Sequence, residues 1–158
     1  MRFILLFFSS FIMSSDFEDL LMLNKRFSAD IIISDSDLVV SKGYLSYMEG
    51  DFIYSINHPS KQVLVGLEGI LYVQDDDFKQ VMSYSDDDSF IIKKLLLNSY
   101  KYDELSCSSK CYRLNVNDER VTDAIIIFKN DHLYEMSISD FQNSIFLVKF
   151  ENFVHEST

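Results

Sequence analysis

From Ala29 onward the chain is a succession of short apolar runs in which greasy and polar positions alternate with a period of two: ADIIIS, DLVVS, YLSYM, DFIYSI, QVLVG, ILYVQ and KQVMSY. Such alternation predicts half-buried strands separated by short polar turns. Connections this short fit an antiparallel meander, because parallel pairing needs crossovers of about a dozen residues. The pattern breaks twice. Ser15-x-x-Glu18 has the form of a capping box and opens DFEDLLMLNKRF, in which Phe17, Leu20 and Leu21 share one helical face. In mid-chain, Ser85 and Asp86, Asp87 and Asp88 offer N-cap oxygens and negative charge ahead of SFIIKKLLLNS, a second short apolar helix. Strands resume at YKYDELS, CYRLNV, DAIIIFK, HLYEMSIS and NSIFLVKF. Two helical inserts in a long antiparallel sheet predict an α+β fold, a curved sheet whose concave face carries the helices. In QVLVG and ILYVQ nearly every position is apolar, so these strands are expected to be covered on both faces.

The first fifteen residues, MRFILLFFSSFIMSS, follow another logic. One Arg precedes the apolar run Phe3 to Phe8, and small polar residues follow. That is the order of a secretory signal peptide, with Ser14 or Ser15 serving at the cleavage site. The expected organisation is a signal peptide over 1–15 and one domain over 16–158. In an oxidising compartment Cys107 and Cys111, spaced C-x3-C, can bridge a tight hairpin turning at Ser108, Ser109 and Lys110; two half-buried free thiols are the alternative.

Charge and motif content then narrow the function. The formal net charge of −11 would be repelled by a phosphate backbone, so no nucleic-acid partner is expected. No G-x-S-x-G, Walker loop, G-x-G-x-x-G or H-E-x-x-H is present, and nothing assembles a nucleophile, a base and an orienter. The acidic triplets Asp75-Asp76-Asp77 and Asp86-Asp87-Asp88 lack the spaced ligands and central Gly of an EF-hand loop, and turn formation and helix capping explain them. The expectation is a non-enzyme without metal or cofactor. Fourteen Phe and nine Tyr, with no Trp, supply more apolar surface than the polar chemistry needs explained. An ordinary filled core and a cavity for acyl chains both accommodate that surface.

The segment from Gly43 to Val81, GYLSYMEGDFIYSINHPSKQVLVGLEGILYVQDDDFKQV, resembles the LolA family, the periplasmic carriers of outer-membrane lipoproteins. The family's Gly-x-Leu strand is matched by Gly43 and Leu45, and its Phe-x-Trp by Phe52 and Tyr54. Its Pro and Gln are matched by Pro59 and Gln62, and its acidic-Gly turn by Glu68 and Gly69. The Leu-Trp-x-Tyr-Asp-x-Asp-Leu-x-Gln-Val segment corresponds to Leu71, Tyr72, Gln74, Asp75, Asp77, Phe78, Gln80 and Val81. RFSADI and MSISDFQNSIFLVKF resemble flanking segments more loosely. One departure is that Met48, Glu49 and Gly50 stand where the family often has a basic residue latching its lid.

The resemblance implies an incomplete, half-open antiparallel β-barrel whose concave face is covered by helices acting as a lid. It implies a monomeric periplasmic chaperone that takes the acyl chains of a lipoprotein released by an inner-membrane ABC transporter. The cargo would then pass to an outer-membrane lipoprotein acceptor. An exported module for a free lipid or other small apolar ligand is the alternative. By alternation and helix facing, the expected acyl-facing residues are Leu20, Ile31, Ile33, Leu45, Tyr47, Phe52, Tyr54, Val63, Leu71, Val73 and Leu95.

Overall fold

The computed structural model describes residues 17–85, 90–97 and 100–156. The expected signal peptide, the Ser15 cap and the Asp86–Asp88 cap lie outside them. Helix α1 (Phe17–Leu23) leads into six strands: β1 (Arg26–Asp35), β2 (Leu38–Met48), β3 (Asp51–His58), β4 (Gln62–Leu67), β5 (Ile70–Asp75) and β6 (Gln80–Tyr84). Helix α2 (Ile91–Leu97) then precedes β7 (Lys101–Leu105), β8 (Lys110–Asn115), β9 (Asp123–Lys129), β10 (His132–Ser139) and β11 (Ile145–His155).

All eleven strands form one sheet in the order β6-β5-β4-β3-β2-β1-β11-β10-β9-β8-β7, with every named neighbour antiparallel. Two meanders, β1 to β6 and β7 to β11, meet where the first strand pairs with the last, Ile31 opposite Phe150 and Ile33 opposite Val148. The turns account for much of the register. Ser36-Asp37, Glu49-Gly50, Glu68-Gly69 and Asn130-Asp131 are two-residue hairpin loops with positive φ at both positions. That backbone matches the right-handed twist of the flanking strands. The β5–β6 turn is built by Asp75, whose carboxylate accepts from the amides of Asp77 and Phe78 and from the Gln62 side chain.

This is a single open sheet, and it corrects the expected half-open barrel with a helical lid. The edges β6 and β7 are not paired with each other. Each helix has seven residues. At 1.5 Å per residue that is roughly 10 Å, the width of two or three strands, too short to roof an eleven-stranded sheet. Both helices instead sink their apolar side chains into the core beside one face. Phe17 sits among Tyr102, Tyr112 and Phe128, with ring centroids 4.9, 5.0 and 6.2 Å away. Asn24, just past α1, is buried and fully used: it donates to the carbonyls of Leu20 and Asp131 and accepts from the Leu133 amide. From α2, Ile92, Leu95 and Leu96 are buried in the same cluster as the sheet residues.

The two-sided cover expected for β4 and β5 is also corrected. Among the described residues, only the helix-bearing face is packed there. On the other face Val63 and Val65 are half-buried, while Ile53 and Tyr72 are exposed. A high apolar content therefore did not mean burial on both sides.

Candidate functional site

The helix-bearing face is assembled by pleating. Residues directly opposite one another in an antiparallel pair point to the same side. Leu45 faces Tyr54, Tyr54 faces Leu64, and Leu64 faces Val73, which faces Met82. One apolar row thus runs from the centre of the sheet to its β6 edge. Parallel to it, Tyr47 faces Phe52, Phe52 faces Gly66, and Leu71 lies between Gly66 and Tyr84. Gly66 is required here, because a Cβ at that position would lie 2.1 Å from the Phe52 ring. The ring so accommodated stacks on Phe90 at 4.2 Å, and Phe90 also reaches Tyr54 at 5.7 Å.

The sequence-derived residues distribute unevenly over this face. Leu20, Ile31, Leu45, Tyr47, Phe52, Tyr54, Leu71 and Leu95 are buried in one cluster, filled by protein side chains beneath the helices. Ile33 and Val73 are half-buried against it. Val63 is corrected: it pairs with Ser55 and Gln74, on the opposite face, and Leu64 takes its place. Burial pushes the phenols of Tyr47 and Tyr54 upward, and Ser41, 3.2 Å from the Tyr54 hydroxyl, partly offsets the second shift.

Open apolar surface appears where the helices stop. Ile56, Leu64 and Val73 are half-buried, while Met82 and Tyr84 of the edge strand remain 42% and 48% exposed. Alternation places Ile56 on this face with Phe52 and Tyr54, but does not mark Leu64, Met82, Tyr84 or Phe90. A second opening lies between the helices, a groove of about 380 Å³ walled by Leu21, Met22, Leu96 and Leu97. Its rim is charged: Glu49 is 2.9 Å from Arg26 and 3.6 Å from Lys25. The Arg26 hydrogen bond, with the charges of Arg26 and Lys25, holds the Glu49 carboxyl below its ordinary range. Gly50 lets Leu97 settle on this turn, since a Cβ there would come within 2.9 Å of a Leu97 methyl.

Polar ties fix the helices in place. Lys94 of α2 pairs with Asp118 in the β8–β9 connection, and Arg120 donates to the same carboxylate at 3.2 and 3.3 Å. These bonds hold Asp118 well below the usual carboxylate range, Arg120 contributing most, and Asp118 in turn raises Lys94. Tyr102 donates to Glu18 of α1 at 3.0 Å. At the far edge Cys107 and Cys111 are joined by a disulfide across the β7–β8 hairpin. Among the described residues no group of three or more His, Cys, Asp or Glu is disposed to hold a metal ion. No described helix is long and apolar enough to cross a membrane.

No family model matches the chain, and no curated protein does. Among solved structures it is similar to a chain in the complex structure of Pseudomonas aeruginosa MucA/MucB, with a TM-score of 0.53 and 9% sequence identity. The match covers 88% of this chain and 55% of that one, so this chain spans about half the length of the protein it resembles. At that identity the likeness is one of fold.

Proposed function

We propose that this protein is an exported acyl-chain binder that carries lipoproteins through the periplasm, from a releasing transporter in the inner membrane to an acceptor in the outer membrane. One observation supports the reading above others: the packed apolar face continues past the helices to the β4–β6 end, which no helix or strand among the described residues covers and where Leu64, Val73, Met82 and Tyr84 lie side by side. Water contact with such a surface is costly, and each methylene of a ligand buried there contributes about 0.8 kcal/mol. A single acyl chain laid partly on it binds reversibly, which suits a carrier that must release its load. The resemblance of Gly43–Val81 to the lipoprotein carriers supports the choice of cargo.

A fluorescent fatty-acid probe tests the surface. Leu64→Ser and Val73→Asp are expected to weaken probe binding about tenfold or more, and Val63→Ser, on the other face, to leave it within twofold. Native mass spectrometry of protein recovered from its own envelope then tests the cargo, which is expected to have the mass of a lipidated polypeptide. Bound species of small-molecule mass would favour the rival reading, a carrier of free lipid. Absence of probe binding by the unaltered protein would overturn both.

A further inference from the structure

The chain has three histidines, and the fold brings two of them together. His132 opens β10 and His155 closes β11, strands that are neighbours in the sheet. Their ring centres are 4.6 Å apart, with the ring planes inclined at 66°. Phe153 backs the pair, its ring 5.2 Å from His132 and 5.1 Å from His155, and it stacks in turn on buried Phe27 at 4.8 Å. One side of the pair is thus apolar, yet His155 is exposed and His132 half-buried, so both can be reached from water. The Leu23 carbonyl, at the end of α1, accepts from one His155 ring nitrogen, which leaves the other nitrogen of the neutral ring with its lone pair. Burial and the charge of His132 hold His155 below the usual imidazole range, which keeps that ring neutral near pH 7.

Two imidazoles bound to one ion, each through a nitrogen about 2.1 Å from it, have ring centres roughly 4.5–5.2 Å apart at coordination angles of about 90–110°. The observed separation falls within that range. A carbonyl on the outer nitrogen is also what a metal-bound histidine commonly has, since it fixes the tautomer and aims the ring. We infer that His132 and His155 form a two-histidine site for a divalent transition metal ion of the zinc, copper or nickel class, with water completing the coordination. Among the described residues no third such ligand joins them, so the site holds half the ligands of a structural zinc site. Its dissociation constant is accordingly expected on the order of 1–100 μM. Calcium and magnesium, which take oxygen ligands, are poor occupants. The cysteines that would compete for a soft ion are tied in their disulfide. A bound ion would hold β10, β11 and, through Leu23, the end of α1 at one point. This site does not depend on the acyl-carrier reading.

Isothermal titration of the full chain with Zn²⁺ tests it, beside His132→Ala, His155→Ala and, as a control, His58→Ala. His58 ends β3 opposite Lys42, in the other meander. One ion per chain is expected, bound about tenfold or more weakly by either of the first two variants and within about twofold of the unaltered affinity by the third. Zn²⁺ should also raise the denaturation midpoint of the unaltered protein and of His58→Ala, but not of the other two. The NMR signals of the His132 and His155 ring protons in the unaltered protein supply a readout that needs no variant to fold. They are expected to shift together and level off with equimolar Zn²⁺. Absence of binding at about 1 mM Zn²⁺ would overturn the site. So would affinity kept in either His132→Ala or His155→Ala, or movement of one ring signal without the other.

Discussion

Gly66 shows how one residue without a side chain sets up an apolar surface. Its missing Cβ leaves room for the Phe52 ring, and that ring forms the platform on which Phe90 stacks. Gly66→Ala adds a methyl that the ring must vacate, and overpacking of this kind costs about 1–3 kcal/mol. The expected outcome is a lower denaturation midpoint with an unchanged slope, and Phe52→Leu in the same background should recover part of the loss. No recovery would mean that the strain lies in the backbone. The same pair of strands shows why residue-level reading failed at Val63. Glu68 and Gly69 form a two-residue loop, so Leu67 opposes Ile70 and Leu64 opposes Val73. Placing Leu71 and Val73 on the packed face therefore requires Gly66 and Leu64 there and sends Val63 to the other side. Alternation gives each strand two equally good phases, and only the turn length links the phase of one to the next.

At the scale of elements, period-two runs located the strands and the greasy runs both helices, because these signals are local, except that DLVVS and YLSYM, read as two runs with a turn between them, are one strand, β2, paired with β1 along its length. How the helices are held was not legible, since their partners are remote in sequence. The tie between Lys94 and Asp118 joins α2 to a loop more than twenty residues away. Phe17 meets Tyr102 and Tyr112, supplied by the opposite end of the chain's second meander. These ties have a pH signature. Asp118 has a folded pKa below its ordinary 3.8, so the folded state binds fewer protons than the unfolded state in the acid range. Its contribution is fully present above the unfolded value and is lost as pH falls from there toward the depressed folded one. Asp75, lowered chiefly by the Gln62 hydrogen bond, acts in the same direction. Stability should therefore fall below about pH 4, where these carboxylates protonate. Asp118→Asn should flatten part of that fall while costing about 1–3 kcal/mol near neutrality, where the charged hydrogen bonds are lost. Denaturant titrations across the acid range measure both effects. An unaltered acid slope in Asp118→Asn would mean that the tie does not bear on stability.

For the whole molecule, the decisive feature is the union of the first strand with the last. Neighbouring strands announce their pairing through short turns, but β1 and β11 lie at opposite ends of the described chain, and no local pattern links them. A sheet completed by its most distant strands must close a long loop before its central pairs form, so folding is expected to be slow for this size, on the order of milliseconds to seconds. The same topology grades stability across the sheet. Ile31, Ile33 and Val148 sit at the seam, where both meanders depend on the pairing, whereas β6 has one neighbour and no buried residue. Amide exchange followed by NMR should therefore show the seam opening only with global unfolding and Gln80–Tyr84 opening through local excursions of much lower free energy. Val148→Asp, which places an unpaired charge between Ile33 and Met136, should unfold both meanders in a single transition. If one meander instead survived, with its protection intact, the seam would be a contact between two independent units, and the apolar row running out to β6 would have to be stabilised from within the first meander alone.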